Sequence, residues 1–524
     1  MKREITLKNT VLGVELGSTR IKAVLCNEAG KVLASGSYEW ENKYINGLWT
    51  YSQEDILCGL QKAYKSLKTD VKEKYGEILT ETGAMGISAM MHGYLVFDNN
   101  NNLLVPFRTW RNNNAEPASR YLTEKLNYNV PARWSISHLY QAIINGEEHI
   151  KDIAFQTTLA GYVHYQLTGE KVLGIDDASG VFPIDSNTKD YDEEKIKTFE
   201  GILQKRGVNI QLRKIFPKVL CAGECAGKLT KEGALLLDPE GDLQEGIALC
   251  PPEGDAATGM VATNSVKVRT GNVSAGTSIF GMVVMEKDLS AVHPEIDIVT
   301  TPTGDPVAMV HCNNCTSDVN AWMNIFSDFA QRLGVSVSQQ ELYKTLFESS
   351  LEGDADCGEV LSYNYVSGEN ITGVTEGRPL LVRKTESNFN LPNFMRSQLY
   401  ATMATLKIGT DILLSEDVKI DKIVGHGGLF KTDKVCQQYL ADAICAPVTV
   451  MENAGEGGPW GMALLALYLK NGSGESLSDF IEQKIFQSAK SSVLSPSKDV
   501  EGMQAYIEKY RAGIDIVKKA VEVL

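Results

Sequence analysis

Two stretches, "VLGVELGSTRIKAVL" at residues 11–25 and "SVKVRTGNVSAGTSIFGMVVM" at residues 265–285, constrain the fold more than anything else in this chain. Each reads as an apolar strand, a turn of glycine and hydroxyl residues, and a second apolar strand. They stand about half of the 524 residues apart. A strand–turn–strand unit that recurs at that distance predicts two similar α/β domains. Around the first copy, residues 11–36 read as three short strands, and residues 52–67 as a helix opened by Ser52 and Asp55. "GAMGISAMMHG" then gives a buried strand and a loop, and an outer hairpin turns on the Asn run at 99–102. This is a βββαβ order with a mixed sheet. After the second copy, "PVAMVHCNN" reads as a strand, "SDVNAWMNIFSDFAQRLG" and "NFMRSQLYATMATLKIGTDILL" as helices. "KIDKIVGHGGLF" is a strand running into a glycine turn, and "KVCQQYLADAI" a helix.

The candidate boundary lies near residues 255–265, giving domains 1–262 and 263–524. No low-complexity linker separates them, so the halves are expected to share a cleft. With 43% apolar residues the chain can fill two sizeable cores. No apolar run approaches the roughly 20 residues of a membrane helix, and "MKREITLKNT" lacks the apolar stretch of a signal peptide. Cytoplasmic residence is therefore expected, with no membrane partner. A net charge of −15 opposes a nucleic-acid partner, which requires a basic footprint. A homodimer is compatible with the sequence. The ten cysteines are scattered and expected to be reduced thiols. Cys312 and Cys315 form a CxxC with no second pair after it, and read as two small residues near a strand end.

In the two turns, Gly17 and Gly276 allow close approach of a ligand to backbone. The adjoining N–H groups and the hydroxyls of Ser18, Thr19, Thr277 and Ser278 can donate to phosphate oxygens. The chain holds no Walker loop. In "CPPEGDAATGMV", Asp255 is followed by small residues, so its carboxylate can cap a helix or meet a substrate as general base. His92, in "SAMMHGY", stands between a buried strand and a glycine, where a neutral imidazole can bond hydroxyls in either direction. Gly427 and Gly428 lie between a strand and a helix, and Gly455, Gly457, Gly458 and Gly461 open another helix with Glu456 among them.

As a set, and in this order, these pieces resemble the FGGY carbohydrate kinases of the actin-like ATPase superfamily. "ELGST" matches that family's first phosphate loop, D-x-G-T-[ST], and "SAGTS" its second, S-x-G-T-S. "EGDAATG" matches G-G-D-x-x-x-G, and "GIDDASGVFPID" resembles D-x-S-x-A-S-G-x-x-x-x-D. "GHGGLFKT" matches the adenosine loop, and "AGEGGPWGMALLA" the E-x-x-x-x-G-A-A helix. The resemblance implies two actin-like (ribonuclease H-like) ATPase domains facing a central cleft. It implies Asp255 as catalytic base, and Gly17, Ser18, Thr19, Arg20, Gly276, Thr277, Ser278, Gly427, Gly428 and Lys431 as the ATP and phosphate set. Glu15 and Asp255 would hold Mg²⁺ through water. "MMHG" looks like the xylulokinase branch, giving Met91, His92, Trp110, Asp255 and Ala256 to the sugar. In "WRNNN", Asn112 and Asn114 replace an acid and an arginine of the family pattern, and Met90 stands for a glutamine. All three fall where the sugar is expected.

The implied reaction is phosphoryl transfer from MgATP to the C5 hydroxyl of a ketopentose, D-xylulose first and L-ribulose as competitor. An actin-like ATPase without a sugar substrate is the alternative from a different class.

Overall fold

The computed structural model describes residues 4–432, 434–451, 457–472 and 474–524. The chain forms two compact units, one of residues 1–266, 298–306 and 454–488, the other of 267–297, 307–453 and 489–524. One cut after residue 262 therefore does not separate them, because two later segments belong with the first unit.

In the first unit, β1 (Thr10–Leu16), β2 (Arg20–Asn27), β3 (Val32–Glu39), β4 (Ala84–Ala89) and β5 (Glu253–Gly254) form one sheet in the order β5-β4-β1-β2-β3. The β1–β2–β3 meander is antiparallel, whereas β4 and β5 run parallel to β1. As the sequence predicts, β1 and β2 are joined by the Gly17–Thr19 turn. Helix α1 (Gln53–Tyr75) starts at Ser52, whose side chain accepts the Asp55 N–H, and stops at Gly76 with a φ of 81°. It packs on one face of the sheet. On the other face lies the helix Gly458–Asn471, so close that a Cβ on Gly13 of β1 would overlap the Pro459 carbonyl. Leu12, Val14, Leu16, Ile56, Leu60, Leu67, Met85 and Ile87 build this core.

A second, aromatic-rich core in the same unit gathers Trp134, Tyr140, Phe182, Tyr191, Phe199 and Phe216. It carries the short α3 (Ile175–Ser179), whereas α2 (Leu159–Thr168) packs Leu159, Val163 and Leu167 into the first core. Directly after β5 comes α4 (Asp255–Ala262).

The second unit repeats the theme with β6 (Thr270–Ala275), β7 (Ile279–Val284), β9 (Pro306–Cys312), β10 (Lys422–His426), β11 (Val448–Met451) and β12 (Ser491–Leu494), its sheet being continued by β8 (Ile296–Thr300), of which residues 298–300 count with the first unit. The order is β8-β9-β7-β6-β10-β11-β12. Its inner five strands, β9-β7-β6-β10-β11, have the same order and sense as β3-β2-β1-β4-β5. Helices α5 (Thr316–Arg332), α6 (Leu391–Ser415) and α7 (Val435–Ile444) fall where the sequence puts them. Among the described residues no helix is long and apolar enough to cross a membrane.

Candidate active site

The first turn is held by its carbonyls. The Trp40 indole N–H donates to the Gly17 carbonyl at 2.7 Å and the Tyr51 hydroxyl to that of Ser18 at 2.5 Å. The Trp40 backbone N–H donates to that of Thr19 at 3.2 Å. Trp40 and Tyr51 stack with ring centroids 4.1 Å apart. With its acceptors engaged, the turn leaves the Ser18 and Thr19 N–H groups without an acceptor among the described residues. That arrangement suits an anion. Arg20 is exposed and pairs with Glu39 at 2.5 Å. Trp110, assigned to the sugar by resemblance, donates its indole N–H to the Ser18 hydroxyl at 3.1 Å, so it belongs to the surroundings of this turn.

Asp255 opens α4. Its Oδ1 accepts the Met91 N–H at 3.1 Å, which ties the Met-His loop to the acid. Solvent reaches Asp255, yet protein crowds it. That burial raises its pKa against the opposing N–H groups of Met91, Asp255 itself and Ala256. His92 has a φ of 70° and is buried, its ring stacked toward Trp134 with centroids 6.3 Å apart. Burial holds the imidazole well below its usual pKa, so it is neutral. A Cβ on Gly180 would lie 2.5 Å from His92 Nδ1 and 3.1 Å from Met91 Cε. Met91, His92, Gly180, Gly254 and Asp255 are therefore one packed group.

Glu15, on β1, points its carboxyl at Gly458, where the helix Gly458–Asn471 begins. Burial and then the charge of Asp255 push its pKa up to about 7, against Lys22. A carboxyl raised by a neighbouring carboxylate in this way is stabilised in its charged form by a cation.

The sequence reading missed three acids next to Asp255. Asp176, Asp177 and Glu253 are fully buried. The Thr158 hydroxyl donates to Asp177 at 2.5 Å, and burial lifts Asp177 to about 7. Burial first, then the charge of Asp177 on Asp176 and of Asp176 on Glu253, raise both well above the usual carboxylate range. The available signal was the pair of consecutive acids inside "GIDDASG".

In the second unit, the Gly276 carbonyl accepts the Thr316 N–H at 3.1 Å and its hydroxyl at 2.8 Å, and the Thr277 carbonyl accepts the Cys315 N–H at 3.0 Å. The start of α5 thus holds this turn as the aromatics hold the first. Gly427 has a φ of 105° and lies against Ala275, where a Cβ would overlap the carbonyl. Gly427 and Gly428 therefore stand beside the Gly276–Ser278 turn, and Lys431 is exposed at the end of the same loop. Cys312 and Cys315 are buried, and burial pushes the Cys315 thiol up to about 12. Neither is poised as a thiolate. Gly455 and Glu456 lie outside the described residues.

Comparison with known sequences decides the family. The N-terminal domain pattern of the FGGY family of carbohydrate kinases matches residues 10–255, and its C-terminal domain pattern matches residues 271–469. The chain belongs to this family. A xylulose kinase of Haemophilus influenzae is 21% identical over 511 residues, 95% of this chain and 98% of the relative. A xylulose kinase structure from Brucella ovis superposes with a TM-score of 0.76 at 19% identity, covering 96% of this chain and 98% of that one. A gluconate kinase structure from Lactobacillus acidophilus gives 0.77 at 18%, covering 97% and 99%. The fold of this FGGY kinase is thus that of two actin-like (ribonuclease H-like) α/β domains, and it is a sugar kinase.

Kinases of this family use ATP, and the chemistry of the donors fits its magnesium. Among the described residues no three His, Cys, Asp or Glu side chains form a metal cage. Mg²⁺ in kinase sites takes one or two carboxylates and completes its shell with phosphate oxygens and water. Glu15 and Asp255 match that demand.

Proposed function

We propose that this kinase transfers the γ-phosphoryl group of MgATP to the C5 hydroxyl of a ketopentose, and that its substrate is D-xylulose. The hydrogen bond from the Met91 N–H to Asp255 carries the reading. It joins an acid of raised pKa to a buried, neutral His92. Asp255 accepts the proton of the sugar hydroxyl as the phosphoryl group is transferred. His92 orients a second hydroxyl, since a neutral imidazole can donate or accept. The N–H groups of Gly17–Thr19 and Gly276–Ser278 stabilise charge on phosphate oxygens. Glu15 and Asp255 would hold Mg²⁺, which would supply further charge neutralisation. Such an ATP-dependent reaction is one of the cytoplasm.

Initial rates of ADP release on D-xylulose, L-ribulose, D-ribulose, L-xylulose, L-fuculose, gluconate and glycerol test the reading. D-Xylulose should give the highest kcat/KM. A strong preference for another sugar replaces the substrate and leaves the reaction; equal ADP release with no sugar replaces the kinase by an ATPase. Asp255→Asn should abolish nearly all turnover while ATP still binds, and a near wild-type rate would remove Asp255 as base.

A further inference from the structure

Helix α3 begins at Ile175, and its N-cap position is Gly174, which has no side chain to offer. A helix start leaves backbone N–H groups without intrahelical acceptors, and an N-cap side chain usually takes that of the second or third helical residue. Here those residues are Asp176 and Asp177, both buried beyond the reach of water. The acceptor comes instead from Glu253, 76 residues on from Asp177. Its Oε2 accepts the Asp177 N–H at 3.3 Å, and the neighbouring Asp176 N–H acts on the same carboxyl, opposing the rise of its pKa.

Volume gives the same answer. A Cβ on Gly174 would overlap the Glu253 carboxyl, whose Cδ is the nearest atom. The Glu253 carboxyl therefore stands where a side chain at position 174 would begin. The Gly174 backbone, at φ −66° and ψ 152°, is an ordinary extended N-cap that any residue adopts. Its own N–H is fixed to the Pro252 carbonyl at 2.8 Å. Glycine is needed at 174 because of Glu253, not because of the backbone.

Three departures from the family patterns meet at this point, one of them Asp176, which stands where D-x-S-x-A-S-G has a serine. Gly174 stands where D-x-S-x-A-S-G opens with an acid, and Glu253 stands where G-G-D opens with a glycine. The carboxyl absent at position 174 is matched by one from position 253, and both positions share one volume.

We propose that Glu253 is a positioning residue: from the neighbouring strand it supplies the helix cap that Gly174 lacks, and this cap fixes Asp255 for the reaction. The clasp works in both directions. Asp176 Oδ2 accepts the Ala257 N–H at 3.3 Å, so a carboxyl of α3 caps α4 while a carboxyl just before α4 caps α3. Asp255 is the first residue of α4. Loosening the clasp moves the base, and a displacement of about 1 Å can cost about 100-fold in rate. The inference rests on the reading of Asp255 as base.

The test is a four-variant set: Glu253→Gln, Glu253→Gly, Gly174→Asp and the double change Glu253→Gly/Gly174→Asp. The Gln amide oxygen still accepts the Asp177 N–H, so Glu253→Gln should keep kcat within about threefold of wild type. Glu253→Gly should lower kcat about tenfold or more with the KM for ATP unchanged. Gly174→Asp alone overlaps the Glu253 carboxyl and should lower the melting midpoint by about 2–4 °C or more. In the double variant the new carboxyl lies at the N-cap of α3, and kcat and midpoint should both exceed those of either single change. A double variant no better than its worse parent overturns the proposal, as does wild-type kcat in Glu253→Gly. The midpoints read the pairing with no substrate present. A wild type inactive on every sugar would therefore refute the proposed function while the cap is still judged by its own measure.

Discussion

Glu15 stands where the family's pattern has an aspartate, and its longer side chain brings the carboxyl to Gly458 and into the field of Asp255. If its role is to hold hydrated Mg²⁺, Glu15→Gln should raise the magnesium concentration for half-maximal rate by about tenfold, the scale of losing one supporting ligand. A rate-against-magnesium titration checks this; an unchanged half-point removes Glu15 from the metal site. A different residue-scale consequence concerns acid. Burial holds His138 at about 3 and His164 at about 4, both far below a free histidine. Below pH 6.5 the unfolded chain binds protons that these folded rings refuse. Stability is therefore full above that pH and falls as pH drops toward 4, by about 1.4 kcal/mol per pH unit for each ring. Urea unfolding midpoints at pH 7.5 and pH 5 measure the slope, and His138→Phe should make it shallower. Both His138 ring nitrogens lack a partner among the described residues, so the apolar ring leaves nothing unpaired. Not every residue role could be read from sequence. Asn112 accepts the Trp49 N–H at 2.9 Å and donates to the Trp49 carbonyl at 2.8 Å. The acid of the family pattern could accept but not donate, so this departure serves the backbone at Trp49 rather than facing a sugar. Nothing in "WRNNN" reveals Trp49, because that partner is 63 residues away.

At the scale of elements, the strand–turn–strand units were legible because apolar alternation and glycine punctuation are local signals. What holds each turn was not. The first is fixed by Trp40 and Tyr51, 23 and 33 residues beyond the carbonyls they bind, and the second by the start of α5, 40 residues on. The same limit hid the clasp between α3 and α4, whose members sit in two motifs that each look complete alone. The aromatic support makes a prediction about the turn as an element. Trp40→Phe keeps most of the stacking on Tyr51 but removes the indole N–H from the Gly17 carbonyl. A lost hydrogen bond of about 1 kcal/mol should loosen the turn and raise the KM for ATP about fivefold, with the KM for sugar unchanged. Equal rises in both constants would mean that the turn is not a nucleotide element.

For the whole molecule, chain order and fold order differ. The sequence reads as two successive halves, since its two glycine turns, its motifs and its family patterns all follow one another along the chain. The first compact unit nevertheless takes back residues 454–488. The reason lies in its sheet. One face of β1 is covered by α1's side of the unit and the other by the helix Gly458–Asn471, which buries Met462, Leu464, Leu465 and Leu467. Gly13 and Gly461 permit that fit: a Cβ on the first would overlap Pro459, and one on the second the Thr258 carbonyl of α4. Each buried side chain of that size is worth about 1.5–3 kcal/mol, so together they approach the whole stability of an ordinary domain. A fragment ending at residue 262 should therefore expose an apolar sheet face, bind a hydrophobic dye and lack a cooperative melting transition. Linking residues 454–488 to its C-terminus should restore the transition. A fragment 1–262 that melts cooperatively without that segment would show that the returning helix is not part of the unit's core.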